Sequence, residues 1–592
     1  MSQKPVIPDQ KNFILAIVLS MAIVFGYQYF FMPLKPQVDP AQPQQTGQIT
    51  GEAGQVPASP VAPLVVERQA ALTASKRVPI DTPELSGSIN LTGAQIDDLK
   101  LNNYREQASP QSPVITFLSP SGTANAYFVE QGFVASKGQT LKLPDSKTLW
   151  TAAEGSVLGK DKPLVLTWEN GEGLIFRREI SISEEYVFTV RQIVDNRTAG
   201  MVSLLPYSRV QRQDTPRVDG YWTFFEGLLG VQNGKLTEES YSSVADDGGK
   251  VELPSRGGWL GFTDKYWATA IIPEQTRQMV VTYQHLKQGT RDAYQADYLS
   301  TDPLIVPAGS AVVAEDHLYA GAKIVDTINK VGEKYKIEKF DLMIDWGYFG
   351  FLTRPMFKLL HWANSIMGNF GLAIMLVTVI VKLAVFPLAN KSYASMSRMK
   401  KLQPEMENIK AQFPDDRMKQ QQATMELYKK EKVSPLAGCL PIFVQIPIFF
   451  ALYKVILTTI DLRHAPFYGW IHDLSAPDPT NLFTLFGLIP WTPPHIMMLG
   501  IWPIMMGITM WVQMRLNPAP ADPIQASMFN WMPVIFTFML GTMPAGLVIY
   551  WTWSNLLSII QQSYIMKKNG ADVNILGNIR ESIPFLKKKA AT

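Results

Sequence analysis

GNFGLAIMLVTVIVKLAVFPLA, Gly368–Ala389, is an apolar stretch carrying a single charge, Lys382. Its length suffices to cross a bilayer, which takes about 20 residues. A lysine near the centre of a spanning helix costs roughly 2.5–3.5 kcal/mol on insertion scales. Either the long stem snorkels to the nearer surface, or the ammonium sits in an internal wet cavity. Lys382 lies to one side of the segment midpoint, so this residue alone leaves both readings open. Thr378, four residues earlier, falls on the same helix face.

Four further apolar segments follow: Pro435–Ile460, Ile496–Met514, Phe529–Gly541 and Pro544–Met566. Phe529–Gly541 is short and is expected to span only by sharing residues with the turn Gly541–Gly546. Near the N-terminus, Phe13–Met32 is 20 residues long and leaves through Tyr27, Tyr29, Phe30 and Phe31. A cleavable signal has an apolar core of about 7–15 residues, so an uncleaved anchor is expected, its aromatic exit suited to a membrane interface. The expectation is a polytopic α-helical membrane protein of six spans.

Orientation follows from lysine and arginine in the short loops. Lys391–Pro435 holds ten Lys/Arg against six Asp/Glu, whereas Asp461–His495 holds one arginine, Arg463, and three aspartates. The tail beyond Met566 is basic, with Lys567, Lys568, Arg580 and Lys587–Lys589. The charged loop, the tail and the N-terminus are therefore expected in the cytoplasm, and the region between the first two spans outside, in the periplasm of a bacterium with two membranes.

That outer region reads as β-rich. Leu164–Trp168 and Leu174–Ser183 alternate with period two about a Glu169–Gly173 turn, Tyr186–Val194 continues the pattern, and Trp259–Ile272 adds aromatic strands. Many short strands with Gly, Pro and Asn-Gly punctuation favour a large sandwich. It is preceded by Pro33–Pro63, an extended linker with seven prolines among glutamines. After it, Trp346–Met367 carries Phe349, Leu352, Met356, Leu359, Leu360 and Trp362 at helical spacing. This is the pattern of a helix along the membrane surface, or of one packed on the domain. Lys391–Lys432 reads as two helices interrupted at Phe413–Asp416, with methionine-bearing stripes Met396/Met399/Leu402/Met406 and Met418/Met425/Leu427–Tyr428, fit for packing or for contact with varied partners. The expected division is residues 1–33 anchor, 34–77 linker, 78–331 sandwich, 332–367 interfacial helix, 368–390 second span, 391–434 cytoplasmic hairpin, 435–566 four spans and 567–592 basic tail.

Over 592 residues the chain is 46% hydrophobic and 18% charged, with a net charge of +3; soluble proteins carry roughly 25% charged residues. One cysteine, Cys439, excludes a disulfide framework and any multi-thiolate metal site within the chain. The sequence holds no Walker-type phosphate loop, no His-Glu-x-x-His and no Gly-x-Ser-x-Gly. Its six histidines do not pair at ligand spacing. No enzyme activity, cofactor, metal or DNA partner is expected. What stands out is polarity inside spans: Lys382 and Thr378, Gln445 in the third span, Gln513 ending the fourth, and Ser554, Asn555, Gln561 and Gln562 in the last. Each neutral residue alone is an ordinary interhelical hydrogen-bonding group. Together with Lys382 they suggest a partly hydrated groove, and Pro441, Pro447 and Pro544 are placed to bend the helices around it.

Ser434–Val455 (SPLAGCLPIFVQIPIFFALYKV) resembles the signature span of the YidC/Oxa/Alb membrane insertase family. Trp470–Asp478 (WIHDLSAPD), Gly546–Gln562 (GLVIYWTWSNLLSIIQQ) and Gly257–Pro273 (GGWLGFTDKYWATAIIP) are similar to the same family in its Gram-negative form with a large periplasmic domain. The resemblance covers nearly the whole chain. It implies an insertase and chaperone for inner-membrane proteins, working alone or beside the Sec translocon. It also implies a five-helix core around a hydrophilic groove that opens to cytoplasm and lipid but is sealed toward the periplasm. The family's groove charge maps onto Lys382, with Thr378 one turn away. Its substrate-contact positions map onto Ile446 and Pro447 in the third span, Met539 in the fifth, and Trp551 beside Tyr550 in the sixth. Implied partners are nascent membrane proteins, the lipid bilayer, and a ribosome or targeting factor at the hairpin and basic tail. The groove charge is more familiar in the family as arginine; lysine supplies a point charge without the bidentate fork. Leu482–Ile496 is longer than many members need between spans three and four.

Two other classes are set against this. A transporter or channel using Lys382 as an ion or substrate site predicts internal repeats and broken helices. A periplasmic binding module merely anchored by the spans leaves the polar groove without a purpose. Deletion of residues 58–331 separates the second from an insertase, which retains its activity.

Overall fold

The computed structural model describes residues 56, 65–216, 224–246, 249–288, 291–414, 416–431, 433, 440–485, 488–489, 491, 494, 499–517 and 523–571. The expected anchor Phe13–Met32, most of the linker, Cys439 and the tail from Asp572 lie outside the described residues.

From Arg77 to Ala322 the chain forms two large sheets, ten-stranded and nine-stranded among the described residues, whose strand pairs are antiparallel. The expected hairpin is present: Leu164–Glu169 pairs with Leu174–Ile182, with Leu166 opposite Arg178. Its turn is built by Asn170, whose Oδ1 accepts from the amides of Glu172 (2.7 Å) and Leu174 (3.0 Å), while Gly171 and Gly173 take φ of 75° and 94°. Such positive φ values favour glycine. Val187–Asn196 adds to the same sheet, Ile180 facing Val190. Between the sheets lie Phe176, Phe188, Phe262, Tyr283 and Tyr298, all fully buried, while Trp259 and Tyr319 are buried on the other face of the nine-stranded sheet against Phe340. Tyr127 of one sheet hydrogen-bonds Thr269 of the other and meets the Phe262 ring edge-on at 5.9 Å. Three short helices flank the sheets: α1 (Arg68–Thr73), α2 (Tyr241–Asp246) and α3 (Val325–Lys334).

The ten-stranded sheet also buries charge. Arg209 stands opposite Glu130 on one neighbouring strand and opposite Asp297 on the other. Arg209 and Glu130 form an ion pair with side chains 2% and 4% exposed. Burial pushes the Asp297 carboxyl up to about 6, against the lowering effect of Gln295 and Arg209.

A polar junction joins the sheets to the helices that follow. Asp345 Oδ2 accepts from the Phe225 amide (3.1 Å) and from Lys454 Nζ (2.6 Å). Gly347, at φ 67°, passes so close to Lys454 that a Cβ there would lie 2.8 Å from Lys454 Cε. Arg463 stacks over Trp267 at 5.3 Å and Tyr266 at 5.8 Å and donates to the carbonyls of Arg105 (2.6 Å) and Glu106 (3.2 Å).

Nine helices follow among the described residues: α4 (Gly350–Met367), α5 (Phe370–Ala384), α6 (Phe386–Lys401), α7 (Gln403–Gln412), α8 (Arg417–Lys430), α9 (Leu440–Thr458), α10 (Ile501–Leu516), α11 (Pro523–Leu540) and α12 (Ala545–Lys568). Among the described residues no single helix is both long and apolar enough to cross a membrane, but the pair α5 and α6, bent by 67°, meets the test together. The stretch Gly368–Ala389 is thus not one straight helix. It breaks at Val385 because Pro387, in the first turn of α6, has no N–H to offer the carbonyl of Leu383. Similarly, the first arm of the expected hairpin is two helices, α6 and α7, divided at Leu402 just before Pro404. The short segment Phe529–Gly541 gains length at its start rather than its end: α11 begins at Pro523.

α4 divides its apolar residues. Met356, Phe357, Leu360 and Ala363 are buried, and the helix packs on α5 and α9; Phe351, Trp362 and Ile366 are exposed. The methionine stripes divide as well. Met396 packs with Ala389, Tyr393 and Ile565, and Met399, Leu402, Met406, Leu427 and Tyr428 close the α7–α8 hairpin. Met418 and Met425 remain outward, 68% and 44% exposed.

Candidate functional site

Lys382 occupies the last turn of α5. Its Nζ donates to Ser558 Oγ of α12 at 2.8 Å and to Gln445 Oε1 of α9 at 3.4 Å. Gln445 Nε2 in turn donates to the hydroxyl of Tyr550, which faces Ser554 one turn on. From α6, the Tyr393 hydroxyl faces Ser558. The network ties four helices together with neutral oxygens only, and among the described residues no carboxylate pairs with Lys382. A partly buried ammonium held this way is solvated by the protein yet keeps its charge uncompensated. It can receive an incoming anion.

The expected site residues divide into three groups. Lys382, Gln445, Tyr550 and Ser554 come together in the network. Thr378 is buried one turn away, but its hydroxyl is spent on the carbonyl of Ile374 (2.7 Å), and Asn555 turns to Thr509 of α10 (3.2 Å). Ile446 and Met539 are 44% and 51% exposed, and Pro447 is half-buried. Trp551 links the apolar flank: Phe449 of α9 meets its ring edge-on at 4.8 Å and Phe536 of α11 lies at 5.9 Å.

Two participants were missed by sequence reasoning. Ser558 extends the series Tyr550, Ser554, Ser558, Gln562, a four-residue spacing that marks one helix face, so the pattern contained the signal. Tyr393 had none. On a straight helix it would stand about 16 Å beyond Lys382 along the axis; the bend at Val385 returns it to the network.

On the opposite end of the helices the Trp470–Asp478 loop forms a closed cap. Asp478 accepts from the Trp470 indole (3.1 Å) and the Trp502 amide (2.9 Å). The carbonyls of Leu474 and Ala476 receive the amides of Gly546 (2.9 Å) and Ala545 (2.7 Å). These bonds satisfy the otherwise orphaned donors that begin α10 and α12.

The family model described as the YidC periplasmic domain matches residues 77–359, and that described as the 60Kd inner membrane protein matches 362–572. A membrane protein insertase YidC of Bradyrhizobium diazoefficiens is 47% identical to the chain, covering 97% of it and 98% of the relative. The chain belongs to the YidC family of membrane protein insertases. A YidC of Rhizobium meliloti is 49% identical over 97% of this chain and 98% of its own length. That of Beijerinckia indica is 48% identical over 99% and 100%. A solved structure of an active YidC insertase aligns with 92% of this chain and 98% of its own at 18% identity, with a TM-score of 0.35.

Proposed function

We propose that this protein is an inner-membrane insertase and chaperone that receives the hydrophobic segments of nascent membrane proteins and releases them into the bilayer, alone or beside the Sec translocon. It is not an enzyme. The observation that carries the reading is the Lys382 ammonium, held among the described residues by the neutral oxygens of Ser558 and Gln445. In this reading α5 with its bent continuation, α9, α10, α11 and α12 are five spans, Phe13–Met32 is the sixth, both termini are cytoplasmic and the double sheet is periplasmic. The Met418/Met425 face of α8 and the basic tail are the contacts for a ribosome or targeting factor, though basic tails bind anionic headgroups too.

A client segment with a short polar tail inserts poorly because its polar groups must cross hydrocarbon unsatisfied. The Lys382–Gln445–Tyr550–Ser558 cluster offers hydrogen-bonding partners partway, and the ammonium attracts acidic residues of the tail. Ile446, Pro447, Met539 and Trp551 supply the apolar flank along which the segment passes to lipid. Burial of about 20 apolar residues, aided by the membrane potential, drives the transfer without a nucleotide.

The test places a photo-crosslinking residue at Ile446, Met539 or Trp551 against ribosome-bound chains of increasing length. Crosslinks should begin when the hydrophobic segment emerges. If none forms at any of the three positions, the groove is not the client path. In parallel, Lys382→Glu should impair acidic-tailed clients more than Lys382→Arg does; equal effects would refute charge attraction.

A further inference from the structure

Ser558 is almost fully buried and touches both Lys382 and Tyr393. A serine hydroxyl has one proton and two lone pairs, so it can accept from the ammonium and still engage the tyrosine. Of the two groups holding Lys382, Ser558 at 2.8 Å is the closer, and Gln445 at 3.4 Å is near the limit of a hydrogen bond. Tyr393 is itself fixed, its ring packed with Ala389, Met396 and Ile565. Beyond it α6 leads into Met399 and Leu402, which belong to the packed interior of the α7–α8 hairpin.

We infer that Ser558 is the positioning residue for the Lys382 ammonium, and that Tyr393, by fixing Ser558, makes that position depend on how the cytoplasmic hairpin is seated. This rests on the groove reading above and names its regulation. Among the described residues no carboxylate orients the ammonium, so its direction is set by the Ser558 hydroxyl with Gln445 Oε1. A shift of α6, to which the hairpin is packed, moves Tyr393 first, then Ser558, then the charge. An acidic client tail senses the change more strongly than an uncharged one, which meets the cluster through hydrogen bonds alone.

The experiment uses the full chain in vesicles and two clients identical except for two aspartates or two asparagines in the tail. The readout is the ratio of acidic-tail to neutral-tail insertion. Lys382→Gln should bring that ratio to about 1. Ser558→Ala and Tyr393→Phe should lower it at least threefold, and Ser558→Thr should restore it. If Lys382→Gln abolishes the preference while Ser558→Ala and Tyr393→Phe leave it as in the parent, the positioning role is refuted and the groove charge stands. If Lys382→Gln leaves the preference intact, the groove-charge reading itself fails. Equal loss on both clients in Ser558→Ala and Tyr393→Phe marks a merely structural role and also overturns the inference.

Discussion

Replacing Asp297 by asparagine should stabilise the periplasmic sheets, and more so at neutral than at acid pH. Burial raises the Asp297 carboxyl from 3.8 to about 6. The folded protein therefore holds this proton more tightly than the unfolded chain does. Below pH 3.8 both states are protonated and no penalty exists. As pH climbs through 6 the folded state must ionise a buried group, and the penalty becomes complete. A shift of about 2 units is worth about 3 kcal/mol at pH 7.5 and about 1 kcal/mol at pH 4.5. Asparagine keeps an oxygen for Gln295 Nε2, which donates to Asp297 at 2.8 Å, and never ionises. The gain in midpoint should be roughly 6–12 °C at pH 7.5, taking 2–4 °C per kcal/mol for a domain of this size, and a third of that at pH 4.5. Thermal unfolding of the full chain in detergent, followed by the β-sheet circular dichroism, measures it. Asp97 is also raised to about 6, so the parent's own pH profile mixes both groups, and the difference between parent and variant isolates Asp297. An equal gain at both pH values, or a loss at both, would refute the reasoning.

Gly371→Ala should cost about 1–3 kcal/mol by overpacking, because its Cβ would enter the Phe467 ring; protease resistance in detergent should fall, and Phe467→Ala in the same chain should recover part of it. Asp345→Asn removes the carboxylate partner of Lys454, whose side chain is 8% exposed against 26% for Asp345. An effect of about 2 kcal/mol is expected, below that of a fully buried pair because Asp345 is partly solvated. It should register as faster hydrogen exchange of the Phe225 and Gly347 amides, with Lys454→Met suppressing it; unchanged exchange would mean the pair does not hold the junction.

Sequence pattern was most readable where one physical rule acts alone. The Leu164–Ile182 hairpin follows from period-two alternation and a turn whose Asn and Gly have definite backbone duties. The polar residues of the last helix follow from four-residue spacing, which could have included Ser558. The pattern was least readable where two rules compete. Gly368–Ala389 is apolar enough to suggest one straight span, yet Pro387 withholds a single amide and the helix turns by 67°. The methionines of Lys391–Lys432 share one composition but divide into packed and exposed sets, because only tertiary closure of α7 on α8 decides which face is covered. Thr378 shares a face with Lys382, yet a helical threonine finds its own backbone carbonyl first. Buried ion pairs such as Arg209–Glu130 lie 79 residues apart in sequence, beyond the reach of any local rule.

The break at Val385 also bears on the surrounding lipid. α5 has 15 residues and α10 has 16, giving lengths of about 22 and 24 Å at 1.5 Å per residue. A typical hydrocarbon core is about 30 Å thick. In the reading proposed above, where both helices span the membrane, lengths this short are matched by compressing the bilayer beside them. Lys382, in the last turn of the shorter one, then stands at the edge of a dimple rather than deep in oil. On that reading the distance over which a client tail must travel without water is shortened by the helices themselves, before any side chain touches it.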